Sequence, residues 1–196
     1  MKKIFFLFLL CPSLYGIAQT ENDIRNHYQE VNKRIKESIE NGFEGPLYCN
    51  EWVTNKNSKS WPAVGLFQET TDFWYDDDPF HLNAADRDPK TVLLKVAINR
   101  KSSHLMTNEE YIYKDGRLIF FYSSQGEEGR SWETRLYFNA KGMFKSSVKA
   151  DGKELSSNEL STPEYADSKP NAVNTLKNGK QYQELFIKSM SYGTAY

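Results

Sequence analysis

The sequence is short of cysteine. Its 196 residues include two cysteines, and Cys11 lies within a stretch that has the features of a signal peptide. These features are a basic start, an apolar run at 4–10, and the small residues Gly16 and Ala18 at the positions that signal peptidase reads. We therefore expect residues 1–18 to be removed and the mature chain to be periplasmic or secreted. Cys49 alone then remains, so no intrachain disulfide forms and stability depends on packing.

Membrane attachment is not predicted either. Cys11 would be the acylated residue of a lipoprotein, but Phe8, Leu9 and Leu10 precede it, where acylation favours a small residue. No apolar run beyond the leader approaches the roughly 20 residues of a membrane-spanning helix. We expect a soluble exported protein.

Several enzyme motifs are absent. The three histidines form no zinc-ligand pair, no serine sits in a G-x-S-x-G turn, and no glycine-rich loop precedes a helix. The net charge is −1 at pH 7, and lysine and arginine are not clustered as phosphate binding requires. We predict no cofactor and no nucleic-acid partner.

An amphipathic helix is predicted near the start of the mature chain. Thr20 with Asp23 resembles a capping box, and Gly42 suits a left-handed C-terminal turn. Between them, apolar residues recur every three or four positions. They form one stripe that must dock on another element, since a helix is rarely stable alone in water: Ile24, Tyr28, Val31, Ile35 and Ile39.

Beyond residue 46 the apolar period changes from 3.6 to 2, which indicates strands. Asp115 and Gly116 favour a type I′ hairpin turn. Seven strands are predicted, at 47–54, 64–75, 91–99, 107–113, 117–123, 131–138 and 143–149. Pairing across the turn places one set of side chains, Tyr111, Tyr113, Leu118, Phe120 and Tyr122, on one face and Ile112, Ile119 and Phe121 on the other.

The C-terminal part is predicted to be a polar surface segment at 154–170, then a helical segment that breaks near Asn178 and Gly179. The predicted fold is a single α+β domain over 19–196. An N-terminal amphipathic helix packs on a curved antiparallel meander of six or seven strands, with the C-terminal helical segment over another part of it. The closest general shapes are a roll similar to cystatin or NTF2-like folds, or a partly open barrel.

Aromatic residues are abundant, at 14% of the chain. Large rings with a polar tip suit a cavity or a stacking platform for a sugar or a lipid-like ligand. The interpretation that the sequence favours is that the rings fill the core of a chain with few other apolar residues. The candidate ligand-binding residues are Trp52, Trp74, Tyr111, Tyr113, Phe120, Tyr122 and Trp132.

An acidic loop is the candidate metal site. Hard cations such as calcium are bound by clustered carboxylates, and the cluster here is Asp76, Asp77, Asp78, Asp86 and Asp88. Its spacing departs from the twelve-residue calcium loop, because His81 and Arg87 stand where that loop has glycine and glutamate. The default interpretation is a solvated loop, and a contact edge for a basic partner is a further alternative.

A few other side chains are candidates for catalysis. Glu110 and Glu133 alternate into strands with apolar neighbours, as the carboxylate pair of a glycoside hydrolase does. The interpretation that the sequence favours is that they face water or pair with Arg135. Cys49 is interpreted as a small buried hydrophobe, and the alternative is a nucleophile assisted by His27, His81 or His104.

Two tracts carry a family resemblance. Y-I-Y-K-D-G-R-L-I-F begins at Tyr111, R-L-Y-F-N-A-K-G begins at Arg135, and a Lys-Lys leader precedes them. Together they resemble small exported proteins of unknown function from Bacteroidota, over about 109–152. The resemblance implies no activity, cofactor or site residue.

The leading hypothesis is a non-enzymatic binding or interaction module that uses an aromatic sheet face. Its partner would be a small ligand, a glycan or an envelope protein. The rival is a hydrolase of the cell envelope, either metal-assisted or carboxylate-based. A purely structural envelope component is the third possibility.

Overall fold

An N-terminal helix, an antiparallel sheet and a C-terminal helix make up the fold. The computed structural model describes residues 19–76, 89–103, 105–127 and 129–192. The helices are α1 (Glu21–Asn41) and α2 (Ala172–Tyr192). The strands are β1 (Tyr48–Thr54), β2 (Ser60–Trp61), β3 (Gly65–Tyr75), β4 (Leu93–Ser102), β5 (Leu105–Lys114), β6 (Arg117–Glu127), β7 (Arg130–Asn139), β8 (Gly142–Ala150) and β9 (Lys153–Glu154). The predicted α+β class is confirmed.

The sheet is an antiparallel meander in which neighbours in space follow one another along the chain. Its order is β1-β3-β4-β5-β6-β7-β8-β9, and β2 pairs with β3 beside this path. Within the described part of the chain β1 and β9 form the two ends of this order, so the sheet is not closed into a barrel. The seven longer strands correspond to the seven predicted ones, and the two-residue strands β2 and β9 are additional.

Helix α1 begins as predicted and packs through most of its predicted stripe. The backbone N–H groups of Thr20 and Asp23 each donate to the other residue's side chain, at 2.9 and 3.2 Å, which completes the capping box. The prediction for the last stripe residue is wrong: Ile39 is 69% exposed, and Ser38 is buried instead. At about 100° per residue, Ser38 lies within about 20° of the direction of Val31, whereas Ile39 lies about 80° away.

Three β-bulges change which face of the sheet each side chain occupies. The strand registers skip Leu94 in β4, Ile119 in β6 and Phe144 in β8. Because a single extra residue reverses the alternation of side chains that follow it, the predicted faces of the Asp115 hairpin are wrong. Phe120 pairs with Ile112 and Phe121 pairs with Tyr111, so the aromatic set is divided between both faces. The turn itself has the predicted conformation, with φ of 51° at Asp115 and 72° at Gly116.

Each helix covers one face of the sheet, and we name the faces after the helices. On the α1 face, the helix packs on two small clusters. The first contains Ile112, Ile119, Phe120 and Tyr137, and the second contains Leu47 and Leu94. On the α2 face, Phe186 and Met190 pack on the main core, which includes Phe73, Val96, Tyr111, Tyr113, Phe121, Leu136 and Phe138. The fold therefore has three layers, with the sheet between two helices.

Helix α2 is continuous, so the predicted break at Asn178 and Gly179 is wrong. Gly179 lies directly against the sheet. A Cβ atom at this position would lie 2.9 Å from Leu118 Cδ2 and 3.5 Å from Tyr111 Cδ1. The hydroxyl of Tyr113 donates a hydrogen bond to the Gly179 carbonyl oxygen at 2.7 Å. The glycine is required here for close packing rather than for a turn.

A buried ion pair joins α1 to the sheet. Lys95 Nζ donates to Glu110 Oε1 and to Asn32 Oδ1, both at 2.7 Å, and the Tyr28 hydroxyl donates to Glu110 Oε2 at 2.8 Å. The Lys95 side chain is 7% exposed and that of Glu110 is 22% exposed. Removing one charged partner would leave the other uncompensated in a poorly solvated place.

Residues 154–170, which we call the strap, run between β9 and α2. They contain two short 3-10 helices, Glu159–Ser161 and Pro163–Ser168, and most of their side chains are exposed. Leu155 is the buried exception, at 7% exposure. The strap thus lies on the surface, as its composition predicts.

Substitution of Gly179 by valine is expected to destabilise the fold by about 1–3 kcal/mol, because a branched side chain overpacks the contact with Tyr111 and Tyr113. Gly179→Ala should cost much less, since Leu118 Cδ2 is the free end of a side chain and alanine gains about 1 kcal/mol of helix propensity. Urea unfolding monitored by circular dichroism measures both. Equal stability of the valine variant and the native chain would contradict the packing argument.

The ion pair is tested by a double-mutant cycle. Lys95→Met and Glu110→Gln are each expected to destabilise the protein, by up to about 3–5 kcal/mol. The double variant should lose less than the sum, with a coupling energy of about 0.5–3 kcal/mol. The exposed pair of Lys36 and Glu40, 3.7 Å apart on α1, serves as the control and should show a coupling of at most about 0.5 kcal/mol. A Lys95–Glu110 coupling no larger than the control would be inconsistent with a buried pair.

Candidate functional site

The predicted aromatic residues do not share one surface. Tyr111 and Tyr113 are each 1% exposed in the core beneath α2, which agrees with the interpretation that the rings fill the core. Trp74 packs beneath α1 against the cluster of Val31 and Leu47. Trp52 lies on the edge strand β1 with 38% of its surface exposed. These four residues lie in the core, beneath a helix or on an edge strand, so they do not form one shared platform.

The other three predicted residues line two clefts on opposite faces of the sheet. Trp132 lines a cleft on the α2 face that is closed on one side by the strap, which we call the strap cleft. Phe120 and Tyr122 line a cleft between α1 and the sheet, which we call the α1 cleft. The bulge at Ile119 is what separates Phe120 and Tyr122 from Tyr111.

The strap cleft is the larger of the two, with a volume of about 460 Å³. Its floor is apolar and comes from β6, β7 and β8, through Phe121, Leu136 and Val148, which are all buried. The half-buried ring of Trp132 stands beside this floor. The cleft therefore combines one half-buried indole ring with an apolar base.

Polar side chains from β6 and β7 stand beside the apolar floor. Ser123, Gln125 and Thr134 lie on the same face as Trp132, because they alternate with residues of the α1 face. None of the three side chains hydrogen bonds with another residue of the described ranges. Their donors and acceptors are thus available to a ligand.

The opposite wall is formed by the strap and the first turn of α2. It contributes Glu164, Asp167, Ser168, Lys169 and Thr175. The wall is anchored at Asn171, whose Oδ1 accepts from the Asn174 backbone N–H at 3.0 Å and whose carbonyl accepts from the Thr175 hydroxyl at 3.0 Å. These bonds cap α2 and hold the wall in place.

The start of the strap is held by a separate polar contact. Lys153 Nζ donates to Glu159 Oε1 at 2.6 Å, and the Ser156 backbone N–H donates to Glu159 Oε2 at 2.8 Å. These hydrogen bonds lower the pKa of Glu159 to about 2. The carboxylate is therefore charged throughout the physiological range, and it orders this turn over the same range.

The predicted metal site lies almost wholly outside the described residues, which include Asp76 but not Asp77, Asp78, Asp86 or Asp88. Asp76 Oδ2 accepts from Arg34 Nη1 at 3.3 Å, so this carboxylate ties the end of β3 to α1. No group of three or more possible metal ligands occurs among the residues that the structure describes. The calcium site stays a prediction.

The two predicted carboxylates have structural partners. Glu133 forms an ion pair with Arg135 at 2.7 Å, which is part of the interpretation that the sequence favours, and Glu110 is held by Lys95 and Tyr28. Burial raises the pKa of the Tyr28 hydroxyl, and the Glu110 carboxylate raises it further. Tyr28 therefore remains a neutral hydrogen-bond donor to that carboxylate.

The histidine and cysteine candidates have no catalytic arrangement within the described ranges. His27 Nε2 lies 2.9 Å from the Tyr113 carbonyl oxygen, and His81 and His104 lie outside those ranges. Cys49 is exposed on the edge strand β1, so its predicted burial is wrong. Its thiol is nonetheless partly desolvated, and this, with the carboxylates of Asp72 and Glu51, raises its pKa to about 12. A neutral thiol at physiological pH is a poor nucleophile.

Comparison with models of protein families, with curated proteins and with solved structures finds no match to the chain. Within the described ranges, no helix is both long and apolar enough to cross a membrane. The resemblance to exported Bacteroidota proteins therefore stays a prediction, and the site has to be interpreted from its own chemistry.

Sequence reasoning missed the polar side of the strap cleft. The sequence carries only one signal of these residues. The apolar alternation of β6 and β7 stops in the half of each strand that lies away from the Asp115 turn, and this half includes Ser123, Gln125 and Thr134. The strap residues give none, because their place opposite Trp132 depends on how α2 packs.

Asp72 generates a pH-dependent prediction. Burial and the nearby Glu51 carboxylate raise the pKa of Asp72 above its usual value, so the folded state disfavours its charged form. Ionisation of Asp72 therefore lowers the stability of the fold. This loss sets in as the pH rises through the pKa of Asp72 in the unfolded state and then through its higher pKa in the folded state, and it is absent below both values. Asp72→Asn should therefore raise the melting temperature at pH 7 and change it little at about pH 3. Asp115→Asn, at an exposed turn, is the control. A gain for Asp72→Asn that is the same at both pH values would contradict the assignment.

Proposed function

We propose that the protein is a non-enzymatic exported binding module and that the strap cleft binds a neutral oligosaccharide. The observation that carries this proposal is the arrangement of Trp132 next to Ser123, Gln125 and Thr134. An indole surface and unengaged polar groups occur side by side above an apolar floor.

A sugar ring matches this arrangement in shape and chemistry. Its C–H face is apolar and broad, and it can stack on the Trp132 ring. Its hydroxyls both donate and accept hydrogen bonds, as do the side chains of Gln125, Ser123 and Thr134. A purely apolar ligand would leave these polar groups unpaired and desolvated, which costs about 1–3 kcal/mol for each buried group.

Charge favours a neutral ligand over an anionic one. The residues that line the cleft include three carboxylates, Glu127, Glu164 and Asp167, and one ammonium, Lys169. Glu164 and Asp167 alone outnumber Lys169. This negative excess repels anions, whereas the two carboxylates accept hydrogen bonds from sugar hydroxyls. The volume of about 460 Å³ is also within the usual range for small-ligand sites, about 300–1,000 Å³.

The same carboxylates support binding rather than hydrolysis. The general acid of a glycoside hydrolase needs a poorly solvated position that keeps it protonated, whereas Glu127, Glu164 and Asp167 are all exposed. The carboxylates predicted from sequence, Glu110 and Glu133, lie on the opposite face of the sheet. Neither set supplies the acid and base of the rival hydrolase.

The proposal includes two expectations from the sequence. Export to the periplasm or the medium follows from the predicted leader and places the cleft where envelope or environmental glycans occur. A roll similar to cystatin or NTF2-like folds is supported by a long N-terminal helix that packs across an antiparallel meander, and it stays part of the proposal.

The test is saturable binding of a neutral oligosaccharide that depends on Trp132. The mature chain is titrated with cellotriose, maltotriose and chitotriose by isothermal titration calorimetry. At least one sugar should bind, and Trp132→Ala should weaken it about tenfold or more, which corresponds to about 1.4 kcal/mol. Gln125→Ala, at an exposed position, should weaken it less without affecting the fold.

Trp52→Ala is the matched control, because Trp52 is a half-exposed tryptophan on β1, outside both clefts. It should leave the affinity unchanged. Chromatography of the sugar after prolonged incubation should show no cleavage. An equal loss in both tryptophan variants, or cleavage of the sugar, would refute the proposed binding role of the cleft.

A further inference from the structure

We infer that the α1 cleft is a second binding site, which takes a sugar ring that carries a carboxylate. This site is independent of the strap cleft, since the two clefts lie on opposite faces of the sheet. Three properties of the α1 cleft point to such a ligand: an aromatic lining, an excess of cations, and carboxylates that hold these cations from outside the cleft.

Four aromatic rings line the α1 cleft, which has a volume of about 330 Å³. Phe120 contacts Tyr28 at a centroid distance of 5.4 Å and Tyr137 at 5.0 Å, and Tyr122 completes the set. The hydroxyls of Tyr122 and Tyr137 make no hydrogen bond within the described part of the chain. Phe120 and Tyr137 are buried, at 6% and 2% exposure, and form the floor of the cleft, while the half-buried Tyr122 offers a ring and an unpaired hydroxyl beside that floor.

The charged side chains that line the α1 cleft are both cationic. They are Arg25 and Arg135, and no described carboxylate lines the cleft. An adjoining depression of about 310 Å³ shares these arginines and adds Lys145 and Lys149, against one carboxylate, Glu154. Glu21 and Glu133 lie outside this lining and pair with three of the four cations. A positive excess of one charge remains, which makes the surface complementary to an anion, in contrast to the strap cleft.

Carboxylates outside the cleft fix the positions of the cations. Glu21 accepts from Arg25 at 2.7 Å and from Lys145 at 2.6 Å, and Glu133 pairs with Arg135 at 2.7 Å. The Arg135 guanidinium also lies over the Tyr122 ring, 5.1 Å from its centroid. A guanidinium held in this way has lost part of its conformational freedom before a ligand arrives, which favours binding.

These properties favour a ligand that combines a sugar ring with an anionic group over a ligand that has only a ring or only an anionic group. A guanidinium has the planar donors that bind a carboxylate by two parallel hydrogen bonds. The half-buried Tyr122 ring beside it suits the C–H face of a sugar, and the Tyr122 hydroxyl can pair with a sugar hydroxyl. A small inorganic anion would use the cations and leave the aromatic lining without a contact.

The experiment is calorimetric titration of the mature chain with trigalacturonic acid in about 50 mM NaCl, with cellotriose and inorganic phosphate as comparison ligands. Trigalacturonic acid should bind saturably and more tightly than inorganic phosphate, and Arg135→Gln should leave any binding of cellotriose unchanged, because the neutral sugar is assigned to the strap cleft. The affinity for trigalacturonic acid should fall as NaCl is raised to about 300 mM, because exposed charges are screened by salt. Arg135→Gln should weaken its binding about tenfold or more, and Tyr122→Leu should also weaken it.

Three further variants separate binding in the α1 cleft from a general effect of charge, from unfolding and from binding in the strap cleft. Arg117→Gln makes the same change of charge at an exposed hairpin position outside the cleft, and it should leave the affinity unchanged. Arg25→Gln removes a lining cation whose side chain is 57% exposed, so a loss of affinity in that variant is not a failure to fold. Trp132→Ala should have no effect on trigalacturonic acid.

Four results would overturn the inference. They are absence of binding, equal binding of phosphate, equal losses in the Arg117 and Arg135 variants, and a loss in Trp132→Ala, which would place the sugar acid in the strap cleft. None of the first three bears on neutral sugars in the strap cleft, so the two proposals fail separately.

Discussion

Two helices have to cover two apolar faces of one sheet, and the rest of the structure depends on this constraint. A helix of 21 residues is about 30 Å long but only about 10 Å wide, whereas a ten-residue strand is about 33 Å long. Each helix packs on side chains from several strands, so it crosses them and covers only one end of each. At the end near the Asp115 turn both faces are apolar and buried. Towards the other end the strands carry polar groups such as Ser123, Ser124 and Gln125, and the clefts lie at the boundary.

The bulges adapt the sheet to this double covering. The extra residues lie on alternate strands of the meander, one each on β4, β6 and β8, and close to the end of the sheet that α1 covers. They are Leu94, Ile119 and Phe144. A bulge adds local twist and lets two successive side chains serve the same face. Ile119 and Phe120 both belong to the α1 cluster. Without that bulge, Phe120 and Tyr122 would lie on the α2 face with Tyr111, and α1 would have fewer rings to pack against.

Most of the architecture is predictable from local signals, and the site is not. The capping box at Thr20, the Asp115 turn and the seven longer strands each depend on residues that are neighbours in the chain, so periodicity and turn chemistry identify them. The face of Phe120 could not be predicted, because period-2 alternation carries no sign of a bulge except the unbroken run Leu118 to Phe121. The prediction for Gly179 fails for a related reason. A glycine that marks a helix break and one that permits close packing look the same until the packed partner is known.

The alternation of two strands explains why one small domain has two unlike clefts. On β6, Phe121, Ser123 and Gln125 point to the strap cleft, while Phe120 and Tyr122 point to the α1 cleft. On β7, Trp132 and Thr134 point to the strap cleft, while Arg135 and Tyr137 point to the α1 cleft. Adjacent residues in the chain thus serve opposite faces, one with an excess of carboxylates and the other with an excess of cations. Because the sheet separates the two clefts, the two proposed ligands, a neutral and an acidic sugar unit, would not compete for the same side chains. The register that α1 and the Ile119 bulge impose on β6 and β7 is therefore what keeps the two chemistries apart.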